Sequence, residues 1–255
     1  MKTIYDFEED YILFTVAKIG EGGNGSVYLC TRRLSLDADL YAVKLTPMAE
    51  TSNEIQLWKD LEHPNIVSLI DYFLDAETET MYLVMEYSPD FLDLFKFIQE
   101  QQNSLPQEER SRIIRQLIDL VSYLTDCGVD HRDIKDENLL YNPETGQIKL
   151  IDFGSSTALS QNPYTEARGT VTYLPPEFYL TGSYSSKPAT VWAIGCLSYI
   201  LYKRDRPFNS TQEILRGLHL RTSTCEESFI YSCLHPDPDE RLTLLEVMCH
   251  PWLLY

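Results

Sequence analysis

The chain has 255 residues, of which 44% are hydrophobic and 12% aromatic, an ordinary globular composition with enough length to bury a core. Lysine and arginine number 21 against 39 aspartate and glutamate residues, which gives a net charge of −18 at pH 7. Such a charge repels nucleic acids and anionic lipids and attracts basic partners, although excess surface acid is about as often only an aid to solubility. We therefore expect neither a nucleic-acid partner nor a membrane partner.

The cysteine pattern and the apolar runs bear on the cellular compartment. The six cysteines form no C-x-x-C pair and have no histidine at zinc spacing, which predicts buried thiols in a reducing compartment. The longest apolar run, residues 192–202, is too short to span a bilayer, and the N-terminus lacks the pattern of a signal peptide. We expect a soluble, monomeric protein of the cytoplasm, and also of the nucleus.

The first predicted element is a hairpin, because residues 14–20 and 26–32 alternate in polarity and flank a glycine-rich turn. Gly20, Gly22 and Gly25 lack a Cβ, so backbone N–H groups there can approach phosphate oxygens closely. Taken alone, such a hairpin is more often a plain turn.

A strand that ends at Lys44 comes next, and a lysine in that place is by itself more often only a solvated strand end. Apolar residues recur at helical spacing from Ile55 to Leu61, which predicts a helix that begins near Glu54. Residues 81–85 predict a buried strand that leads into a connection at residues 86–89.

Helices dominate the second half of the pattern. Ser104 with Gln107 has the spacing of a capping box, apolar residues between 113 and 124 mark one helix face, and Gly128 closes it. Three further helices are predicted at 211–217, 226–234 and 242–250.

Between these helices lies the stretch that carries the chemistry. Two apolar runs, Leu139–Tyr141 and 148–151, are separated by turn residues and predict a strand–turn–strand unit. Four polar residues lie at its two ends and are expected to converge: Asp133, Lys135, Asn138 and Asp152. One carboxylate that accepts a hydroxyl proton, an ammonium, and an amide–carboxylate pair that holds Mg²⁺ together suit phosphoryl transfer. The alternative is a solvated loop in which such residues crowd by chance.

Residues 131–138, H-R-D-I-K-D-E-N, followed by D-F-G at 152–154, resemble the signature of eukaryotic protein kinases and are most similar to the Pim-type serine/threonine kinases. The glycine hairpin resembles their G-x-G-x-x-G-x-V loop, residues 41–44 their V-A-I-K strand, and residues 169–177 their G-T-x-x-Y-x-P-P-E segment. The resemblance implies one catalytic domain over 1–255 with an α+β, two-lobed fold. A small antiparallel sheet with one main helix is expected over 1–86, and a larger, mostly helical lobe over 87–255.

The resemblance also implies roles for individual residues. Asp133, Lys135 and Thr170 are expected to be catalytic, and Asn138 and Asp152 to bind Mg²⁺. The residues expected to bind ATP are Ile19, Gly20, Glu21, Gly22, Gly23, Asn24, Gly25, Ser26, Val27, Ala42, Lys44, Glu54, Met85, Glu86, Ser88 and Leu140. Arginines near the phosphoacceptor of protein substrates are expected to be bound by Asp93 and Glu137.

Several positions depart from the family pattern. Glu54 follows Lys44 by only ten positions, and we expect this short tether to hold the helix inward and the enzyme constitutively active. Trp58 is expected behind Phe153 in place of a smaller residue. Asp130 stands where an apolar residue is usual, and Thr190 where an aspartate normally braces the H-R-D turn.

Other expectations concern the segment after D-F-G. Glu177 is expected to form a bidentate ion pair with Arg241. Arg132 is a candidate partner for a phosphate on Tyr164 or Thr165, or for the nearby Glu166. Two alternatives remain beside an active protein kinase: a catalytically silent kinase fold that serves as a scaffold, favoured by the departures, and a small-molecule kinase, disfavoured by residues 169–177.

Overall fold

The chain is described by a computed structural model over residues 2–22, 25–34 and 39–254. These residues form two compact units. The first consists of Met1–Asp90 together with the short segment Asp152–Ser156. The second consists of Phe91–Ile151 and Thr157–Tyr255. The predicted α+β fold class is confirmed, since the first unit holds a sheet with short helices and the second is mostly helical.

The first unit contains one six-stranded sheet. Its elements are β1 (Lys2–Thr3), α1 (Ile4–Asp10), β2 (Tyr11–Gly22), β3 (Gly25–Arg32), β4 (Leu40–Pro47), α2 (Ser52–Trp58), β5 (Leu69–Asp75) and β6 (Thr80–Glu86). The strand order is β1–β5–β6–β4–β3–β2, in which β1 is parallel to β5 and the other pairs are antiparallel.

The N-terminal helix α1 lies outside the predicted elements. Thr3 begins it by donating from its backbone N–H and its hydroxyl to the Asp6 carboxylate. The helix buries Phe7 against Tyr11 and Phe73, with ring centroids 5.4 Å away in both cases. Phe7 is its only buried residue, and a helix of seven residues is too short for periodicity to indicate it strongly.

The connection from β4 to α2 is short. A 3-10 turn over Met48–Glu50 follows β4, and the Thr51 hydroxyl donates to the Met48 carbonyl oxygen at 3.0 Å. Helix α2 then begins at Ser52 and has only seven residues. The ten-residue spacing between Lys44 and Glu54 is therefore taken up by the end of a strand, a tight turn and the first turn of a helix.

The second unit is built around helices. Its elements are β7 (Leu92–Asp93), α3 (Leu94–Glu100), α4 (Gln107–Asp126), β8 (Val129–Asp130), β9 (Leu139–Tyr141), β10 (Ile148–Leu150), β11 (Thr157–Ala158), α5 (Pro176–Thr181), α6 (Ser186–Lys203), α7 (Thr211–Arg216), α8 (Cys225–Cys233) and α9 (Leu244–Met248). Two small sheets accompany them, ordered β10–β9–β7 and β11–β8.

Helices α4 and α6 supply much of the core of this unit. The apolar face predicted between 113 and 124 on α4 is buried. Gly195 on α6 lies against α8 so closely that a Cβ would be 2.8 Å from the Cys233 Cβ. The predicted capping box is wrong: the residue before α4 is Pro106, and the Ser104 hydroxyl donates instead to the Tyr202 carbonyl oxygen at 3.2 Å.

The predicted strand–turn–strand unit is present as the hairpin β9–β10, in which Ile148 pairs with Tyr141 and Leu150 with Leu139. The Asn142 carboxamide oxygen fixes the turn by accepting two backbone N–H groups at 2.9 and 3.1 Å. The hairpin therefore joins the two apolar runs from which it was predicted.

The cysteine prediction holds only in part. Cys30, Cys196 and Cys233 are buried, but the other three are exposed, namely Cys127, Cys225 and Cys249. Burial raises the pKa of the Cys30 thiol to about 12. Within the described residues, no helix is both long enough and apolar enough to cross a membrane.

Candidate active site

Asp133 has hydrogen-bond donors on both oxygens of its buried carboxylate. Oδ1 accepts the backbone N–H of Thr170 at 2.9 Å and its hydroxyl at 3.0 Å. Oδ2 accepts the Asn138 amide at 2.9 Å and lies 3.0 Å from the Lys135 ammonium. The Lys135 ammonium also donates to the Thr170 hydroxyl at 2.7 Å. All four residues belong to the second unit, and their contacts hold the carboxylate in one orientation.

The backbone of the H-R-D turn is fixed from its other side. His131 is buried, and its Nδ1 accepts the Asp133 backbone N–H at 3.4 Å. That bond makes Nε2 the protonated nitrogen, which lies 3.3 Å from the Ile151 carbonyl oxygen. The Ile151 N–H in turn donates to the Asn138 carbonyl oxygen at 3.0 Å, which joins the two ends of the β9–β10 unit.

In the first unit, Lys44 and Glu54 form an ion pair. The Lys44 ammonium is 2.8 Å from Glu54 Oε1 and 2.8 Å from Asp152 Oδ1, and both Lys44 and Glu54 are buried. Burial lowers the pKa of Lys44, but the Asp152 and Glu54 carboxylates more than offset this, so the pKa is raised overall. The lysine therefore stays a cation despite its burial.

Asp152 and Phe153 are placed by an unusual backbone conformation. Asp152 has φ of 63°, in the left-handed region, and its carboxylate accepts the Gly154 N–H at 3.3 Å. Phe153 is fully buried, and its ring stacks on Trp58 at a centroid distance of 5.5 Å. Trp58 itself donates from its indole to the Val67 carbonyl oxygen at 2.7 Å. The large residue at position 58 is thus accommodated as a stacked, hydrogen-bonded partner of Phe153.

The glycine-rich segment forms the end of the β2–β3 hairpin, where Gly20 pairs with Val27, Glu21 with Ser26 and Gly22 with Gly25. Val27 also pairs with Lys44 in β4, so the hairpin lies next to the lysine that is expected to bind ATP. The predicted ATP-binding residues Gly23 and Asn24 lie outside the described residues. Ile19 is 41% exposed at the same end of β2.

The remaining residues predicted to bind ATP divide between the units. Ala42 and Met85 are cross-strand neighbours in β4 and β6, and both are buried. The Glu86 N–H donates to the Ser68 carbonyl oxygen at 3.0 Å, so it is already used by the protein. The Ser88 N–H has no acceptor within the part of the chain that the structure describes. Leu140 belongs to the second unit, in β9.

Both residues predicted to bind substrate arginines already have protein contacts. The Asp93 carboxylate caps α3 by accepting the Lys96 N–H at 3.0 Å. Glu137 Oε1 accepts a hydrogen bond from the Arg206 guanidinium at 3.2 Å, whereas Oε2 is buried and has no hydrogen-bond partner in the described chain. The pKa of Glu137 is raised overall, because burial and the adjacent Asp136 carboxylate outweigh the opposite effect of Arg206.

Sequence reasoning did not identify Arg206, because a single arginine in the connection between α6 and α7 has no local pattern that marks it. The structure alone shows that it shares the Glu137 carboxylate. The expected Glu177–Arg241 pair is present, with the guanidinium donating to both carboxylate oxygens at 3.0 and 2.9 Å.

Asp130 and Thr190 are neighbours around the same small cavities. Asp130 is buried and pairs through its backbone with Thr157, and burial together with the Asp130 carboxylate raises the pKa of the Tyr164 hydroxyl. Asp130 and Thr190 both line two cavities of about 30 and about 20 Å³. Cavities of this size hold roughly one or two water molecules each. The buried acid therefore lies next to the Tyr164 hydroxyl and to space for water, and the neighbouring His131 keeps its contacts with Asp133 and Ile151.

Comparison with known families shows that residues 14–253 match the family described as "Protein kinase domain", and the chain belongs to this family. Among curated proteins, the zebrafish (Danio rerio) "Serine/threonine-protein kinase pim-2" is 33% identical over 270 residues, which cover 97% of this chain and 86% of that protein. "Serine/threonine-protein kinase 1" of African swine fever virus is 32% identical, over 96% of this chain and 81% of that protein. "Serine/threonine-protein kinase prk-2" of Caenorhabditis elegans is 30% identical, and this chain spans only 59% of its length.

These relatives agree on the class of reaction. The chain is a protein-serine/threonine kinase, as the resemblance in its motifs predicted. Protein kinases use ATP as the phosphoryl donor, typically with Mg²⁺, and act on protein substrates.

Proposed function

We propose that this kinase transfers the γ-phosphate of ATP to serine or threonine hydroxyls of proteins that carry arginines near the phosphoacceptor, and that it does so without an activating modification. The proposed catalysis rests on the geometry of the Asp133 carboxylate. It is buried, and Thr170, Asn138 and Lys135 contact it at 3.0 Å or less.

In this proposal, Asp133 accepts the proton of the substrate hydroxyl. A carboxylate whose orientation is set before the substrate arrives loses little conformational freedom in the transition state. Lys135 lies beside it and neutralises charge on the transferred phosphoryl group. A positioned base of this kind contributes about 10²–10⁴-fold to the rate, and positioning with charge neutralisation supplies the larger share.

Lys44 is proposed to hold phosphate oxygens of ATP, with Glu54 fixing its direction. An ammonium that two carboxylates keep charged and immobile suits this role as a point charge. The hairpin next to Lys44 would add backbone N–H groups at Gly20 and Gly22.

The residues present fit Mg²⁺. Oxygen atoms of carboxylates and amides are the protein ligands that Mg²⁺ prefers, and it commonly takes only one or two of them beside phosphates and water. Asn138 donates from its amide nitrogen to Asp133, which leaves its Oδ1 for a cation, and the Asp152 carboxylate is 29% exposed. Each of these residues is proposed as a ligand of the ion, which would neutralise phosphate charge when bound.

Constitutive activity is supported by the number of contacts that α2 makes within the first unit. The Asn53 amide donates to the Ser156 carbonyl oxygen at 2.8 Å, next to the Glu54–Lys44 and Trp58–Phe153 contacts. A seven-residue helix held at three points over two turns has little freedom to leave this position.

Two carboxylates and the negative net charge of the chain support a preference for substrates that contain arginine. Glu137 already binds one guanidinium, that of Arg206, and the partly exposed Asp93 carboxylate lies 4.0 Å from the Lys96 ammonium beside its capping bond, so both carboxylates can pair with cations. A net charge of −18 favours the approach of basic segments. A silent scaffold remains the second candidate, because the buried Asp130 and Thr190 depart from the family pattern around the H-R-D turn.

The test compares the wild-type chain with Asp133→Asn in two assays. Thermal shift with and without MgATP reports nucleotide binding, and transfer of labelled γ-phosphate to an arginine-rich serine peptide reports catalysis. We expect both proteins to be stabilised by MgATP and only the wild type to transfer phosphate, with a loss of at least about 10²-fold in the variant. Stabilisation without transfer by the wild type would instead establish the scaffold, and use of free amino sugars or amino alcohols alone would indicate a small-molecule kinase.

A further inference from the structure

Arg132 has a strained backbone immediately before the carboxylate that the reaction uses. Its φ is 63°, a left-handed conformation that non-glycine residues rarely adopt. Its carbonyl oxygen faces Gly169, where a Cβ would lie 2.5 Å from that oxygen and 2.8 Å from Asp133 Oδ1. Such a conformation persists only when surrounding contacts impose it, so the partners of the Arg132 side chain help to hold the backbone that carries Asp133.

Two tyrosines supply those partners. The Arg132 guanidinium donates to the Tyr184 hydroxyl oxygen from Nη2 at 2.6 Å and from Nε at 3.2 Å. Its Cζ lies 4.0 Å from the centroid of the Tyr164 ring, within the range of a cation–π contact. We call Arg132, Tyr164 and Tyr184 the tyrosine clamp.

The two tyrosines are also joined to each other. Each donates its backbone N–H to the carbonyl oxygen of the other, at 2.8 and 3.0 Å, in an isolated antiparallel bridge. Their ring centroids are 5.5 Å apart, and Phe178 packs edge-on against Tyr184. Tyr184 is buried, so the clamp has a rigid base.

The two tyrosines hold the Arg132 guanidinium without help from a carboxylate. Among the described residues no carboxylate forms an ion pair with Arg132, although Glu166 is close in sequence. From Glu166, Arg132 binds the backbone carbonyl oxygen, at 3.0 Å, and not the carboxylate. That carboxylate is 76% exposed and lies 3.8 Å from Arg168. Both a phosphate and the Glu166 carboxylate are therefore unnecessary for holding this guanidinium.

We propose that Tyr164 and Tyr184 are positioning residues that, by clamping Arg132, fix Asp133 and order residues 164–170 in the unphosphorylated protein. The inference rests on the proposed role of Asp133. The segment is attached at two points: Tyr164 on the Arg132 guanidinium, and Thr170 on the Asp133 carboxylate. With both ends held by adjacent residues of one turn, loosening the clamp shifts the backbone that carries the base.

The experiment uses the full chain after phosphatase treatment, with intact mass confirming that no phosphate remains. Steady-state kinetics on the arginine-rich serine peptide are compared for Tyr184→Phe, Tyr164→Leu and Tyr164→Phe. Tyr231→Phe, on the exposed side of α8, is the matched control.

We expect the dephosphorylated wild type and the control to be equally active. Tyr184→Phe, which removes only the acceptor oxygen, and Tyr164→Leu, which removes the aromatic face, should lower kcat about tenfold with little change in the KM for ATP. Tyr164→Phe keeps the ring and should retain most of kcat. A role confined to stability would lower melting temperature without this separation of kcat from KM.

The inference is overturned if Tyr184→Phe and Tyr164→Leu stay within twofold of the control, or if phosphatase treatment alone abolishes activity. Should Tyr184→Phe be unfolded at the assay temperature, the Tyr164 pair of variants decides. A wild type no more active than Asp133→Asn removes the proposed function and this inference with it, whereas an active wild type with unaffected clamp variants removes the inference alone.

Discussion

At the scale of single residues, the glycines of the β2–β3 hairpin are constrained by different things. Gly25 has φ of +129°, and a Cβ there would lie 2.1 Å from the Leu45 carbonyl oxygen. No described atom lies within 4 Å of a Cβ at Gly22, and at Gly20 the nearest atoms are at an ordinary 3.5 Å. Of these three glycines, the described part of the fold therefore requires only Gly25, and Gly20 and Gly22 are free to serve a ligand.

This difference predicts separate effects of two substitutions. Gly25→Ala should lower the free energy of unfolding by about 1–3 kcal/mol, because alanine is strained there. Gly22→Ala should leave chemical denaturation unchanged and raise the KM for ATP several-fold, because the new Cβ keeps phosphate oxygens from the backbone. Urea unfolding and ATP titrations measure the two effects. An unchanged KM in Gly22→Ala would count against contact between this glycine and the nucleotide.

Arg206 leads to a second prediction at this scale. As it shares the Glu137 carboxylate, it competes with a substrate arginine, and a partly exposed ion pair of this kind is worth about 0–1 kcal/mol. Arg206→Ala should therefore lower the KM for an arginine-containing peptide by up to about fivefold, with kcat unchanged. The KM for the same peptide with alanine in place of arginine should not change.

Arg216→Ala removes the same charge from an exposed position on α7 and serves as the control. If both variants lower the KM equally, the effect comes from net charge and not from release of Glu137. If Arg206→Ala raises the KM, Arg206 instead holds Glu137 in the orientation that substrates need.

Sequence reasoning expected Asp133, Lys135 and Asn138 to converge, and the second unit brings these three side chains into contact. Their roles in catalysis stay a prediction that the family resemblance implies. Tyr184 and Arg206 were not identifiable, because tyrosine and arginine are common on surfaces and each reaches its partner across more than 50 positions of sequence. Only the folded second unit brings them to Arg132 and Glu137.

At the scale of elements, periodicity predicted α4 and the β9–β10 hairpin but not how the elements begin. Ser104 and Gln107 had the spacing of a capping box, yet Pro106 precedes the helix and the Ser104 hydroxyl finds a better acceptor in the Tyr202 carbonyl group. In α1 the cap is present, at Thr3 and Asp6, but the helix has only seven residues and so a short apolar pattern. Local capping signals and periodicity are separate kinds of information, and an element that shows only one of them is easily misjudged.

Helix α2 carries the prediction that belongs to this scale. Inserting Gly-Ser-Gly-Ser before Ser52 doubles the connection after β4, and doubling a flexible loop costs about 0.6 kcal/mol. The Lys44–Glu54 pair would then form less often, and kcat should fall by about two- to threefold or more, with the largest loss at low ATP. The same insertion in the exposed turn between Glu77 and Thr78 is the control. Equal or higher turnover after the first insertion would contradict the idea that the short tether holds the helix inward.

At the scale of the whole molecule, the net charge of −18 is the property that sequence alone defines completely. Its effect on substrate binding depends on how the charge acts. It either attracts basic substrates at long range or acts only through single ion pairs, such as one between Glu137 and a substrate arginine. Ionic strength separates the two, because the screening length falls from about 10 Å at 0.1 M to about 3 Å at 1 M.

Raising KCl from 50 to 500 mM should therefore increase the KM for a peptide with three arginines several-fold and leave kcat nearly constant, since screening weakens encounter but not the fixed contacts around Asp133. A peptide with the arginines replaced by alanine should show no such trend, and its KM at low salt should be higher. The salt series is best repeated with Glu137→Gln. If the variant keeps the full salt dependence, long-range attraction dominates; if it loses most of it, the single carboxylate does. A KM for the arginine peptide that ignores salt in the wild type would rule out an electrostatic origin for the proposed preference altogether.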